Sequence, residues 1–452
     1  MYTIHDLGDP IPLADDTRPA PARDPRAAGV TTPAPATPAS TGTSAPVIIT
    51  DARVLKVGVG PKRGLAMSDL GEAGLYDVLI DRGEIMAVLP SPSPLRHATK
   101  PGVRFIDGAK RVLMPGFVDC HTHACFAGSR LDEWDQRRGG LEYLEILRRG
   151  GGIMATVRAV RKASQEELAA GLLERLNRML ELGTTTVEVK SGYGLSTHDE
   201  MKMLRAIHDA AAKFKGTVVP TALLGHALDP AIDRASFVKS VIEETLPAIS
   251  LEFPGIAVDA FCEKSAWDQL ECLALFDAAS ERGHPCRVHA DQFTSMGMTS
   301  IAAQRGFVSV DHIEATSPAE LQVLARSSAI GVVLPVSTFH LGGKHASARV
   351  LVDAGGAVAL ATNFNPGSAP CYSMPLAVAF AVRLNGLTPQ EAISACTGNA
   401  AAVLGRMDRG SVEPGMRADL VMLKHTDERE LAHSFGDDPV AMVMVKGEIV
   451  RG

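Results

Sequence analysis

The stretch VSVDHIEATSPAELQVLARSSAIGVVLP, residues 308–335, decides the fold class of this chain. Two apolar runs within it, residues 308–313 and 330–335, have the length and β-branched content of buried strands. Between them, Ser317-Pro318-Ala319-Glu320 combines a capping hydroxyl, a proline suited to the first helical turn, and a glutamate. Apolar residues then recur at helical spacing. The stretch therefore predicts a β–α–β unit with parallel strands.

The same unit recurs along the middle of the chain. Helical stretches such as residues 154–182 separate eight predicted strands: 112–119, 184–190, 217–224, 257–263, 286–290, 308–313, 330–335 and 357–362. Eight such units predict a closed TIM (β/α)8 barrel, and an open doubly wound sheet is the alternative. The glycine-rich residues 57–64 match neither a dinucleotide-binding pattern nor a phosphate-binding loop, which favours the barrel.

The sequence on both sides of the predicted barrel has the pattern of short β-strands. Residues 47–57, 76–90, 410–424 and 442–450 contain β-branched or apolar runs between turn signals. We predict a small β-sandwich lobe built from residues 47–114 and 406–452, around a catalytic barrel of residues 115–405. Residues 1–46 are rich in Pro, Ala, Thr and Ser and have few large apolar groups, so we expect a disordered tail.

Composition narrows the class of function. The net charge of −7 over 452 residues argues against a nucleic-acid binder, which is normally basic. No apolar run is long enough to span a membrane, and the first residues lack the pattern of a secretory signal. Seven cysteines without framework spacing indicate reduced thiols. We expect a cytoplasmic protein that binds neither nucleic acid nor membranes.

Histidines follow four of the predicted strands. His121 and His123 end the first strand and point to the same side because side chains alternate. His226 follows the third strand, His289 lies in the fifth and His312 in the sixth. The carboxyl ends of barrel strands share one mouth, where imidazoles can hold Zn²⁺ or Fe and leave a position open for hydrolysis. The alternative is a set of buried histidines satisfied by hydrogen bonds.

Lys190 ends the second predicted strand. A carboxylated lysine there could bridge two metals, but such a group is expected on a later strand, so we predict one metal. Two roles for Lys190 then stay open, a substrate contact and a buried ion pair.

At these residues the sequence resembles the imidazolonepropionase family of the amidohydrolase superfamily. The resemblance runs from about residue 47 to the end and rests on motifs in matching order: PGFVDCHTHACFAGSR, YLEILRRGGGI, TTTVEVKSGYG, LLGHA, VDAFCE, VHADQ, DHIE, NFNPGSAP and GSVEPGMRADLVML. It implies a small-molecule substrate, 4-imidazolone-5-propanoate. Metal-dependent hydrolysis of its cyclic amide C–N bond would give N-formimidoyl-L-glutamate in histidine degradation. It also implies a homodimer.

The resemblance implies a role for each strand-end residue. One Zn²⁺ or Fe³⁺ per chain would be held by His121, His123, His289 and the residue at position 363. Substrate contacts would come from Arg130, Tyr193, His226, Gln292 and the loop residues Asn365, Gly367 and Ser368. Arg130 has a rationale of its own, because a guanidinium can hold a carboxylate in a bidentate fork. His312 would transfer protons or stabilise the oxyanion.

Position 363 departs from the family pattern. Asn363 stands where the family has an Asp, and an amide can ligate a metal but cannot act as a general base. Gln292 is also an amide where some relatives carry a Glu. We therefore predict a catalytic group of His312, Asn363 and Gln292, with His312 carrying the proton. Two alternatives remain: an amidohydrolase acting on another cyclic amide or amidine, such as a deaminase, and a catalytically silent ligand-binding relative.

Overall fold

The computed structural model describes residues 45–98, 102–140, 151–264 and 266–452. The tail predicted to be disordered, residues 1–46, lies outside these ranges except for its last two residues. The strands of the described chain are β1 (Val47–Val54), β2 (Leu75–Asp81), β3 (Glu84–Pro90), β4 (Arg104–Asp107), β5 (Val112–Pro115), β6 (Phe117–Asp119), β7 (Thr184–Lys190), β8 (Thr217–Gly225), β9 (Ala257–Cys262), β10 (Arg287–Ala290), β11 (Ser309–His312), β12 (Ile330–Val333), β13 (Val358–Leu360), β14 (Leu420–Leu423), β15 (Val440–Val445) and β16 (Glu448–Arg451).

Helices occupy most of the connections between the central strands. In chain order they are α1 (Leu131–Arg138), α2 (Ile153–Lys162), α3 (Gln165–Glu181), α4 (Thr197–Lys213), α5 (Arg234–Ser240), α6 (Leu246–Glu252), α7 (Gln269–Glu281), α8 (Met298–Gln304), α9 (Pro318–Arg326), α10 (Pro335–Leu341), α11 (Ala348–Asp353), α12 (Met374–Leu384), α13 (Pro389–Ala395), α14 (Gly398–Val403) and α15 (Glu430–His433). Short 3₁₀ turns lie at Gly64–Ser68 and Pro94–His97, and a π-turn at Val241–Thr245 joins α5 to α6. Within the described part of the chain, no helix has the length and apolar character needed to cross a bilayer.

The central strands form the predicted TIM barrel. Strands β6 to β13 pair in chain order, each parallel to the next. The residues just after β6 and β13 close the ring: Asn363 N donates to His121 O at 3.1 Å, and His123 N donates to Phe364 O at 2.9 Å. Closure therefore occurs at the carboxyl end, beside the first predicted site residues.

The first predicted barrel strand, residues 112–119, is wrong as a single strand. Val112–Pro115 belongs to the terminal sheet, where it pairs with β1 and β14, and only Phe117–Asp119 pairs with β7 in the barrel. Gly116 lies at the change of sheet, and a Cβ atom there would stand 2.4 Å from Thr185 Oγ1. Only glycine fits that approach. The apolar run continues through both strands and so conceals the break.

The predicted lobe from both termini is confirmed, and its layers are parts of one sheet. The strand order is β16-β15-β14-β5-β1-β2-β3, with β4 alongside β1. Side chains from both halves, such as Ile49, Leu113 and Met444, share one buried core. Ala418 N, before β14, donates to Gly83 O in the turn between β2 and β3 at 2.8 Å. The sheet therefore curls until its distant parts meet.

The other predicted strands end within two residues of those in the structure. The predicted helix over residues 154–182 is instead two helices, α2 and α3. Ser164 interrupts it because its hydroxyl accepts from Glu167 N at 3.1 Å and caps α3. The helix start predicted at Ser317 is confirmed, with a capping box, and Thr388 begins α13 with a capping box of the same kind.

Candidate active site

Five imidazoles converge at the carboxyl mouth of the barrel. The ring centroids of His121 and His289 are 4.4 Å apart, and those of His289 and His312 are 5.4 Å apart. His123 stacks on His226 with centroids 4.9 Å apart. The structure thus brings together all of the strand-end histidines singled out in the sequence.

A carboxylate backs three of these histidines at Nδ1. The pairs are His121 Nδ1 with Asp311 Oδ2 at 2.6 Å, His289 Nδ1 with Asp259 Oδ1 at 3.0 Å, and His312 Nδ1 with Glu314 Oε1 at 3.2 Å. Each contact assigns the ring proton to Nδ1, which donates to the carboxylate and leaves Nε2 as a lone pair. Carboxylates hold metal-ligating histidines in this way.

The donor set fits a metal ion. Ligand atoms of His121, His289 and His312 all lie within 4.8 Å of one another. Nε2 of His123 is 3.3 Å from Nε2 of His289. Within the described residues, Nε2 of His121 and Oδ1 of Asn363 are buried and have no hydrogen-bond partner. Buried lone pairs that face no donor are suited to a cation.

The charge state of the imidazoles favours the same use. Burial lowers the pKa of His121, His123 and His289, and for His289 this outweighs the opposing effect of Asp259. Neutral imidazole is the form that binds a metal. The predicted ligand His123 lies beside the group of His121, His289 and His312 rather than in it. The geometry alone therefore brings four imidazoles together but does not distinguish metal ligands from a proton-transfer residue.

Behind the histidines lies a buried ion network. Lys190 Nζ is 2.7 Å from Glu188 Oε1 and 2.8 Å from Asp259 Oδ2. Arg287 bridges Glu188, at 3.0 Å, and Asp311, at 2.7 Å. All five side chains are essentially inaccessible to solvent. Of the roles left open for Lys190, the structure shows the buried ion pair, and this network anchors the carboxylates that orient His121 and His289.

Backbone strain marks the strand ends. His312, Asn363 and Asp291 have φ values of 85°, 57° and 55°, a left-handed region that non-glycine residues rarely adopt. Gln292 is half-buried in the loop after Asp291. Glu263 Oε2 holds that loop by accepting from Phe293 N at 2.9 Å.

Arg130, the predicted carboxylate-binding residue, lies beside the loop of Asn365, Gly367 and Ser368 that is predicted to contact the substrate. Asn365 Oδ1 accepts from Gly367 N at 2.9 Å and from Ser368 N at 2.7 Å, which shapes the loop. The guanidinium of Arg130 packs so closely on this loop that a Cβ atom at Gly367 would lie 3.1 Å from Nη1. Tyr193 is buried, with its ring 5.1 Å from that of His226.

His226 has a defined tautomer. Its Nδ1 donates to Gly192 O at 2.9 Å, so Nε2 is an acceptor. Burial lowers the pKa of His226 to about 3, helped by the neighbouring His289. His226 is therefore neutral at physiological pH.

We expect His226 to make stability depend on pH. The unfolded histidine has a pKa of about 6.5, so between that value and about 3 the unfolded state binds one more proton than the folded state. The stabilisation is present above pH 6.5 and is lost as the pH falls. The free energy of unfolding of metal-free protein can be measured by urea titration at about pH 7.5 and about pH 5. Between these two pH values it should fall by about 1–2 kcal/mol less in His226→Gln than in wild type.

His198→Gln is the matched control, because the His198 side chain is 85% exposed. It should lose the same free energy as wild type over this range. Equal losses for His226→Gln and wild type would contradict a depressed pKa at His226.

Comparison with known proteins places the chain in a family. The amidohydrolase family model matches residues 112–450. An imidazolonepropionase of Deinococcus radiodurans is 43% identical over 388 residues, covering 86% of this chain and 95% of that protein. One from Herpetosiphon aurantiacus is 41% identical, covering 86% and 93%. The chain belongs to the imidazolonepropionase family of amidohydrolases.

Solved structures share the fold of this imidazolonepropionase-family chain. An adenosine deaminase from Xanthomonas campestris with bound zinc superposes with a TM-score of 0.63 at 18% identity, covering 90% of this chain and 92% of that one. An atrazine chlorohydrolase from Arthrobacter aurescens in complex with zinc gives 0.64 at 19%, covering 90% and 95%. At these levels of sequence identity, the similarity shows a shared fold and nothing about the reaction.

Four further residues of this imidazolonepropionase-family site were not singled out as functional in the sequence. Asp259, Asp311 and Glu314 back the histidines, and Glu133 pairs with Arg130. Asp259 and Asp311 did carry a usable signal, since a charged residue inside a buried strand requires a partner. Glu133 carried none, because it lies on a helix, LDEWDQRR, in which most residues are charged and none is buried.

Proposed function

We propose that this chain hydrolyses the ring amide of 4-imidazolone-5-propanoate to N-formimidoyl-L-glutamate, a step of histidine degradation. The observation that carries the proposal is the placement of carboxylate-backed histidines at the same barrel mouth as Arg130 and its loop. The relatives that bear the name imidazolonepropionase support it.

We propose one Zn²⁺ or Fe³⁺ per chain, held by His121, His123, His289 and Asn363. The neutral imidazoles support this assignment, as does Oδ1 of Asn363, which has no hydrogen-bond partner among the described residues. When bound, such an ion polarises a carbonyl and acidifies water. We leave His312 outside the ligand set, as the resemblance implies, because its Nδ1 pairs with Glu314 and its Nε2 can then move a proton.

The remaining residues position the substrate. Arg130 binds the propionate carboxylate through its guanidinium. Nε2 of His226 accepts a ring N–H, since Nδ1 already donates to Gly192 O. Tyr193 and Gln292 border the ring, and the loop with Asn365, Gly367 and Ser368 encloses it, as in the roles expected from the resemblance.

His312 moves a proton from the attacking water to the leaving ring nitrogen. Nε2 of His312 takes a proton from the attacking water and returns it to the ring nitrogen as the C–N bond breaks. The water oxygen becomes part of the new carboxylate, and the nitrogen stays in the formimidoyl group. Glu314 stabilises the transient imidazolium through Nδ1–H.

The test is N-formimidoyl-L-glutamate formation from freshly made 4-imidazolone-5-propanoate, with metal content measured in the same sample. We expect turnover at about one metal per chain and its loss in His289→Ala. A metal-loaded chain that forms no product would contradict the proposal. Ammonia release from a purine and pyrimidine panel would then identify a deaminase, and binding without turnover a silent relative.

We further propose a cytoplasmic location. All seven cysteines are free thiols, which supports a reducing compartment. The homodimer expected from the resemblance stays a prediction.

A further inference from the structure

One edge of the Arg130 guanidinium is already occupied. Nε donates to Glu133 Oε2 at 2.6 Å, and Nη2 donates to Glu133 Oε1. Both side chains are only 13% exposed. This is the bidentate geometry in which arginine also binds ligand carboxylates. A substrate carboxylate therefore cannot use the Nε edge while Glu133 is in place.

The rest of the guanidinium is also constrained. Gly367 covers one face, since a Cβ atom there would lie 3.1 to 3.5 Å from Nη1, Cζ and Nη2. Nη1 has one long contact, 3.4 Å, with the buried hydroxyl of Thr156. With one edge filled and one face covered, Arg130 can offer a carboxylate only the Nη1–Nη2 edge.

Glu133 is itself held in place. Its Oε2 also accepts from Gly152 N, the residue before α2, at 3.0 Å. Burial acts to raise the pKa of Glu133, but the hydrogen bonds from Arg130 and Gly152 hold it below the ordinary value. Glu133 is thus a fixed anion that joins α1 to the start of α2.

We propose that Glu133 is a positioning residue that sets selectivity for a carboxylate-bearing substrate. By holding the Nε edge, it directs the Nη1–Nη2 edge of Arg130 toward the ligand before binding, so less side-chain freedom is lost on binding. The inference rests on the proposed function, in which Arg130 binds the propionate. The opposite possibility is that Glu133 repels the substrate carboxylate. In that case removal of Glu133 would lower KM, whereas loss of a positioning residue would raise it.

Steady-state kinetics distinguish positioning of Arg130 from repulsion of the substrate. Glu133→Ala should raise KM for 4-imidazolone-5-propanoate about tenfold with kcat unchanged, as for loss of one charged hydrogen bond. Glu133→Gln keeps an acceptor for Gly152 N and should raise KM less. Glu174→Ala, which removes an exposed partner of Arg178, is the matched control and should leave KM unchanged. An unchanged or lowered KM in Glu133→Ala would overturn the proposal.

A binding measurement distinguishes positioning from a general loss of structure. Calorimetry with imidazole-4-propionate and with 4-ethylimidazole, which lacks the carboxylate, should show weaker binding in Glu133→Ala for the first ligand only. Equal weakening of both ligands would overturn the proposal. A wild type that prefers the propionate but turns nothing over would refute the proposed hydrolysis while leaving this comparison valid. A wild type with no preference would refute the binding of the propionate by Arg130 and with it the proposal for Glu133.

Discussion

Replacing Asn363 with Asp is expected to raise the turnover number about a hundredfold or more, the scale of a general base. A carboxylate at this position can accept a proton and give a metal a negatively charged ligand, whereas the neutral amide can only ligate the metal through its oxygen. His312 would then share the proton transfer with Asp rather than carry it alone.

The structure can accommodate this change. Asn363 has a φ of 57°, a left-handed conformation that both Asn and Asp tolerate. Its backbone bonds to His121 O and Asn365 Nδ2 do not involve its side chain. Its Oδ1 is buried with no partner among the described residues, so no existing hydrogen bond is lost at that atom.

Turnover and metal content should be measured together for wild type, Asn363→Asp and a matched control. Asn385→Asp is that control, because Asn385 is also buried with an unpaired Oδ1 in the described structure but binds Ala346 O, away from the site. It should cost stability and leave turnover unraised. Unchanged or lower turnover in Asn363→Asp at equal metal content would refute the account of this position.

Lys190→Met is expected to destabilise the fold by about 3–5 kcal/mol, the cost of removing one partner from a buried ion pair. Asp259 Oδ2 would lose its ammonium partner at 2.8 Å, and Glu188 would keep Arg287. Because Asp259 is fully buried, its carboxylate would lose its nearest cation in a place that solvent does not reach.

Urea unfolding of wild type and Lys190→Met measures this loss. Arg205→Met is the control, since the Arg205–Glu252 pair is exposed, with side-chain exposures of 48% and 38%, and should cost at most about 1 kcal/mol. A loss of similar size in both variants would mean that the network behind the histidines contributes no more than a surface pair.

Much of the barrel could be predicted because its strands are buried on both faces and appear as continuous apolar runs. The same property caused the error at residues 112–119. An apolar run records burial but not the sheet against which a strand packs, and here the partner changes at Gly116. Ser164 shows the converse: its hydroxyl outweighs helical spacing and splits the predicted helix.

The sequence by itself determined the barrel and the histidines at its mouth, because parallel strands must bring their carboxyl ends together. Only the tertiary structure decided that His121 carries its proton on Nδ1, that Lys190 is an ion-pair partner, and which edge of Arg130 is free. The contacts responsible join distant residues, such as His121 and Asp311, which are 190 positions apart. Such hydrogen bonds form only when the barrel closes, and no local pattern specifies them.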